Sequence, residues 1–181
     1  MTERLGIATL ITADHGRMRL GFAGLDEAPG QEELSNTWDR LSTRLETHVD
    51  AEERLFYPEL VHASVTAQEA SVSLPDDHKR IRDAIRDADI APVGSDAWWE
   101  AVRRARTAST MHFAVEERQV LPDFRNQASE ERLTDLGEAW QRLSAALAPS
   151  LDVATHTAGR MWTSADPPGG GERADAPGSG R

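Results

Sequence analysis

The chain contains no cysteine in its 181 residues. Disulfides, thiolate zinc sites, cysteine-ligated iron–sulfur clusters and a cysteine nucleophile are therefore excluded, and any metal must be held by nitrogen and oxygen. No apolar run approaches the ~20 residues that a membrane-spanning helix requires, so we expect a soluble, cytoplasmic protein with no membrane partner. The one signal-like stretch, LGIATLITA after Arg4, joins a helical stripe that continues past any plausible cleavage point. Positive charge is scarce. The 20 Lys and Arg residues against 31 Asp and Glu leave a net charge of −11, a field that repels a phosphate backbone and argues against nucleic acid as a partner. Sustained period-two alternation is also absent, so strands find no support.

What is present has helical spacing. Steps of three and four collect Ala8, Ile11, His15, Met18, Phe22 and Leu25, and then Leu34, Trp38, Leu41, Leu45, His48, Glu52 and Leu55. A third stripe holds Leu74, His78, Ile81, Ile85 and Ala88; a fourth holds Trp98, Val102, Ala105, Ser109, His112, Glu116 and Gln119. Pro58 and Pro122 should end or kink the second and fourth helices. Pro29-Gly30, the polar stretch around residues 64–73, and Pro92-Val-Gly-Ser95 separate the four, with Ser95 or Asp96 as N-cap of the last.

This predicts an all-α fold, an up-down-up-down four-helix bundle. Residues at equal depth on neighbouring helices of such a bundle lie equally far from the turn between them. The midpoints of His15 and His48, of His48 and His78, and of His78 and His112 all fall in or beside the three breaks. Four histidines therefore meet at one level, facing inward. A fifth amphipathic helix, about 129–147, carries Leu133, Leu136, Trp140, Leu143 and Leu147 on one face, which covers the bundle or makes a homodimer contact. The domain is placed at 1–148, with 149–181 a disordered Pro/Gly-rich tail.

The chain also repeats itself. HVDAEERLFYP at 48–58 returns as HFAVEERQVLP at 112–122, and Asp14-His15-Gly-Arg17-Met-Arg19 returns as Asp77-His78-Lys-Arg80-Ile-Arg82. Each half reads DHxRxR, a turn, then HxxxEER, so one helical hairpin is used twice about a pseudo-two-fold axis. Residues four apart share a helix face, ~6 Å along the axis, so His48 with Glu52 and His112 with Glu116 each present two donors together. Both glutamates occupy positions where a leucine would ordinarily pack, and an unpaired buried carboxylate costs several kcal/mol. Four imidazoles and two carboxylates suit a pair of transition metals better than oxygen-only cages for calcium or magnesium. The candidate metal ligands are His15, His48, Glu52, His78, His112 and Glu116, with two histidines per metal and both glutamates bridging.

The pattern H, HxxxE, H, HxxxE on four successive helices resembles the hemerythrin-like family, the hemerythrin HHE cation-binding domain, over roughly residues 5 to 126. The resemblance implies two iron ions in an oxo- or hydroxo-bridged non-haem centre that reacts with dioxygen, hydrogen peroxide or nitric oxide. The oxygen-carrying hemerythrins are similar on three helices but carry a further histidine where this chain has Arg82, and an aspartate five residues after the last histidine where Glu116 here stands at four. The missing nitrogen leaves a coordination position open beside His78 and His112, which favours chemistry over reversible carriage. Peroxide decomposition, needing no outside reductant, is the most economical activity; dioxygen or nitric oxide sensing, or iron storage and delivery, is the alternative.

Around the ligands, Glu53 and Glu117 point about a hundred degrees away on a regular helix and read as solvated or arginine-paired. Arg17, Arg19, Arg80 and Arg82 read as surface residues in preference to supports for the bridging carboxylates. Tyr57, the one tyrosine, is within reach of the cavity as a hydrogen-bond donor or radical site, with plain packing its simpler use. His62 and His156 are too far along the chain to act as ligands, and the tryptophans are structural, Trp38 and Trp98 filling the bundle end away from the metal level.

Overall fold

The protein, seen in a computed structural model, is described over residues 5–63 and 74–162, with side chains over 5–60 and 74–147. All its regular elements among the described residues are helical. Helix α1 spans Ile7–Glu27 and α2 spans Gln31–Ala51; α2 passes through a π-helical turn, Glu52–Phe56, into α3, Tyr57–Ala63. After residues 64–73, which lie outside the described residues, α4 covers Leu74–Ile90. Helix α5, Asp96–Val115, continues through a second π-turn, Glu116–Val120, into α6, Leu121–Gln127, and α7 runs Glu130–Trp162. These form a four-helix bundle of alternating direction with an added C-terminal helix.

The turn between α4 and α5 follows local chemistry. Gly94 takes φ +80°, which a side chain disfavours. Ser95 then caps α5 by accepting a hydrogen bond from the Trp98 N–H, so Ser95 and not Asp96 is the N-cap.

Pro58 and Pro122 were expected to end or kink their helices, and neither ends one. At both places the chain widens into a π-turn: the Tyr57 N–H donates to the Glu52 carbonyl and the Leu121 N–H to the Glu116 carbonyl, five residues back. The wider turn lets a residue without an N–H sit in the next helix. Helix α7 likewise runs beyond the expected end at 147, through Pro149 to Trp162. A proline at 149 forfeits one helical hydrogen bond without ending the helix. Residues 163–181, the rest of the expected tail, lie outside the described residues.

Two apolar clusters fill the bundle. One holds Phe22, Leu25, Trp38, Leu45, Ile85 and Trp98; the other holds Ile7, Ile11, Phe56, Phe124, Leu136 and Trp140. Trp38 and Trp98 meet edge to face at 5.8 Å in the first, as expected for the bundle end. Helix α7 lies over α1 and α2, burying Leu136 and Trp140. Gly137 makes that approach close, since a Cβ there would run into the Leu5 carbonyl oxygen. Between the two clusters lies a polar layer.

Candidate metal centre

The polar layer contains all six residues singled out from the sequence. His15, His48, Glu52, His78, His112 and Glu116 are each at most 1% exposed. Their donor atoms form two groups that could hold a metal ion: His15, His48, Glu52 and Glu116, and Glu52, His78 and His112, with all donor atoms of a group within 4.8 Å of one another. The histidines pair across the hairpins, Nε2 to Nε2, at 3.2 Å for His15 and His48 and 3.3 Å for His78 and His112. Each glutamate reaches both pairs. Glu52 Oε1 lies 3.0 Å from His48 Nε2, and its Oε2 lies 3.1 Å from His78 Nε2 and 3.3 Å from His112 Nε2. Glu116 Oε2 stands 3.3 Å from His15 and 3.5 Å from His112.

Only part of this proximity is hydrogen bonding: Glu52 Oε2 is within hydrogen-bond geometry of His78 and His112 Nε2. Neither oxygen of Glu116 has a hydrogen-bond partner among the described residues, and Glu52 Oε1, though near His48, is off the line of a hydrogen bond. Buried carboxylate oxygens without partners are costly unless a cation or a proton compensates. Electrostatics give the same answer. Burial and the neighbouring Glu52 charge push the Glu116 carboxyl well above the usual range. Burial also opposes ionisation of Glu52, but His48, His112 and His78 outweigh it and hold that carboxyl well below the usual range. Burial disfavours charge on His48 too, yet Glu52 and Asp14 raise its pKa to about 9, whereas burial and the His48 charge lower His15 to about 3. With no cation the layer needs protons in place of one. Four nitrogen and two carboxylate donors so arranged fit a pair of transition-metal ions.

The outer edges of two histidines are fixed by the residues that follow the glutamates. His15 Nδ1 donates to Glu117 Oε1 at 2.9 Å, and Arg19 grips both oxygens of that carboxylate at 2.9 and 3.0 Å. In the other half His78 Nδ1 donates to Glu53 Oε1 at 2.9 Å, and Arg82 grips Glu53 at 2.7 and 3.0 Å while also reaching Asp50 at 2.7 Å. A proton on Nδ1 leaves the Nε2 lone pair facing inward, the tautomer a metal requires. Each hairpin orients a histidine of the other. Glu53 and Glu117 are thus arginine-paired, as expected, but they also hold two of the candidate ligands, His78 and His15, which a regular-helix geometry does not foretell because both glutamates lie in π-turns. Arg19 and Arg82 belong to this support and not to the plain surface; Arg17 pairs with Asp14 and Arg80 with Asp77.

Three further features complete the site. The Tyr57 hydroxyl is 2.7 Å from His78 Nε2, with the rings stacked at 5.0 Å. Burial and the surrounding carboxylates raise the phenol pKa, so it stays an O–H donor. Asp14 Oδ2 faces His48 Nδ1 at 4.0 Å, and the Trp140 ring stands edge-on to His48 at 5.4 Å. The side chains of His62 and His156 lie outside those described.

A helical bundle with a buried histidine–glutamate layer at mid-depth defines a cation-binding protein of the hemerythrin-like kind. The family model described as "Hemerythrin HHE cation binding domain" matches residues 6–123, and the chain belongs to that family. Among solved structures it is similar to a hemerythrin HHE cation binding domain-containing protein, the Rv2633c homologue from Mycobacterium kansasii. That likeness has 21% identity and a TM-score of 0.71, and covers 87% of this chain and 96% of the other. No curated protein sequence matches. No described helix is long and apolar enough to cross a membrane.

Proposed function

We propose that this chain is a non-haem di-iron protein that decomposes hydrogen peroxide, with His15, His48, His78 and His112 as terminal ligands and Glu52 and Glu116 bridging. The observation that carries this reading is that each buried glutamate reaches both histidine pairs, while three of their four carboxylate oxygens, Glu52 Oε1 and both of Glu116, lack a hydrogen-bond partner among the described residues. Two iron ions held there would supply redox chemistry towards peroxide, dioxygen or nitric oxide.

The chain supplies the rest. Glu53 and Glu117, clamped by Arg82 and Arg19, hold two imidazoles in the metal-binding tautomer. Apolar layers above and below keep bulk water out. On the His78 and His112 side, where no nitrogen replaces the one lost at Arg82, the Tyr57 hydroxyl stands beside His78 Nε2 and would donate its proton to an oxygen atom of a bound small molecule. Disproportionation of two peroxides to two waters and dioxygen balances without an outside reductant.

The test is sustained oxygen release by the iron-loaded chain in peroxide, with no reductant added. We expect many turnovers per chain, abolished together with iron content in His112→Ala while helicity remains. One stoichiometric reaction per chain would replace this reading with oxidant sensing or iron storage, and full activity in His112→Ala would remove the ligand assignment.

A further inference from the structure

Outside the polar layer, a cleft of about 780 Å³ lies between α1, α2 and α7. Its volume is that of an ordinary small-molecule pocket. The lining carries Arg17, Arg40 and Arg44 against a single carboxylate, Asp14, in a chain whose net charge is −11. Arg17 and Arg44 both donate to the same oxygen, Asp14 Oδ1, at 2.8 and 3.2 Å, so one negative charge is shared by two guanidinium groups.

Buried hydroxyls in the same cleft reinforce the point. Thr43 and Thr47, one turn apart on α2, and Ser144 on α7 present buried side-chain oxygens with no hydrogen-bond partner among the described residues. Thr47 is only 7% exposed. An unpaired buried hydroxyl is costly, and three around one space call for a polar occupant. Leu10 and Trp140 supply an apolar wall.

The internal repeat provides a comparison within the molecule. The matching groove, about 570 Å³, lies between α4 and α5, with Asp77 in the place of Asp14, Arg80 of Arg17, Arg104 of Arg40 and Thr107 of Thr43. There Ala108 stands for Arg44 and Met111 for Thr47. Its three arginines, Arg80, Arg103 and Arg104, face three carboxylates, Asp77, Asp83 and Glu100. The same scaffold is thus charge-balanced in one half and cationic in the other, so the excess is not a by-product of the hairpin design.

We propose that the cleft between α1, α2 and α7 binds a small molecule with an anionic oxygen head, a carboxylate or phosphate, on an apolar body. The head sits among Arg17, Arg40, Arg44 and the two threonine hydroxyls; the body lies against Leu10 and Trp140. Through Asp14 and Trp140, which both face His48, the occupant is one side chain from the polar layer. The site itself needs no metal.

The experiment titrates benzoate and phenyl phosphate into the full chain, following tryptophan fluorescence and heat, with benzamidine as a cation of the same shape. Saturable binding at about 1 mM or tighter is expected for at least one of the two anions, and the tighter one identifies the head. Arg44→Ala/Thr47→Met, which installs the residues of the other repeat, should weaken it at least about tenfold, a loss of roughly 1.4 kcal/mol, with helicity and metal content unchanged. Arg40→Ala, at an exposed position, should weaken it in the same direction and keeps the test open should the double variant not fold. Binding by neither anion, equal binding by benzamidine, or wild-type affinity in the folded variants overturns the proposal.

Discussion

Removing the cation from the polar layer and raising the pH should destabilise the fold together, because protons then do the cation's work. In the cation-free chain His48 is lifted from its ordinary pKa of 6.5 to about 9: burial opposes its charge, and the Glu52 and Asp14 carboxylates outweigh burial. A group whose pKa is higher in the folded state contributes stability that is complete below its unfolded value and lost as pH climbs through the folded one. For His48 that window runs from pH 6.5 to about 9. Glu116 acts in the same sense, since burial and Glu52 hold its carboxyl protonated well above the usual range. His15 and His112 are shifted downward, mainly by burial, so their contribution falls below pH 6.5 and leaves this window untouched. At about 1.36 kcal/mol per unit, the His48 proton alone is worth on the order of 3 kcal/mol. In a domain of this size that is roughly 6–12 °C of melting temperature. Thermal unfolding followed by circular dichroism, on chelator-treated and iron-loaded chain at pH 6.5 and 9, measures it. The chelated chain should lose that much on going to pH 9, while the loaded chain holds nearly level. Equal stability of the chelated chain at the two pH values, or a parallel fall in both forms, would mean that these protons do not stand in for a cation.

Glu53→Gln or Glu117→Gln, which weakens the hold on the outer nitrogen of His78 or His15, should cost about 10–100-fold in metal affinity. Competition with a chelator measures this, and wild-type affinity in both variants contradicts the supporting role. Tyr57→Phe should keep the metal content yet slow peroxide turnover on the order of 100-fold, and an unchanged rate removes Tyr57 from proton donation. Gly137→Ala would press its methyl group on the Leu5 carbonyl oxygen. We expect a loss of about 1–3 kcal/mol in urea unfolding, and unchanged stability rejects the close crossing of α7 over the N-terminal segment.

The six inward residues were legible because two independent constraints coincide at them. The stripe of α1, α2, α4 and α5 places them on the core face, and the equal spacing of the histidines about the turns places them at one depth. The structure brings all six together. What lay beyond the sequence reading depends on departures from regular helix geometry. A hundred-degree rotation per residue sends Glu53 and Glu117 outward, but both occupy π-turns and their long side chains reach back to His78 and His15. The twice-written EER, with an arginine partner in each DHxRxR, was the available signal. Pro58 and Pro122 mark the same turns, and a proline in sequence does not reveal whether a helix stops or widens. Asp14 and Trp140 approach His48 across helices α1 and α7; such contacts depend on how the fifth helix docks, which periodicity alone leaves open.

Whether the buried layer holds two iron ions is read from the metal content per chain. Full-length protein produced in iron-replete medium should carry two irons per chain, and His112→Ala or Glu52→Ala should carry fewer while remaining helical. Protein that folds, melts cooperatively and contains no iron would contradict the account.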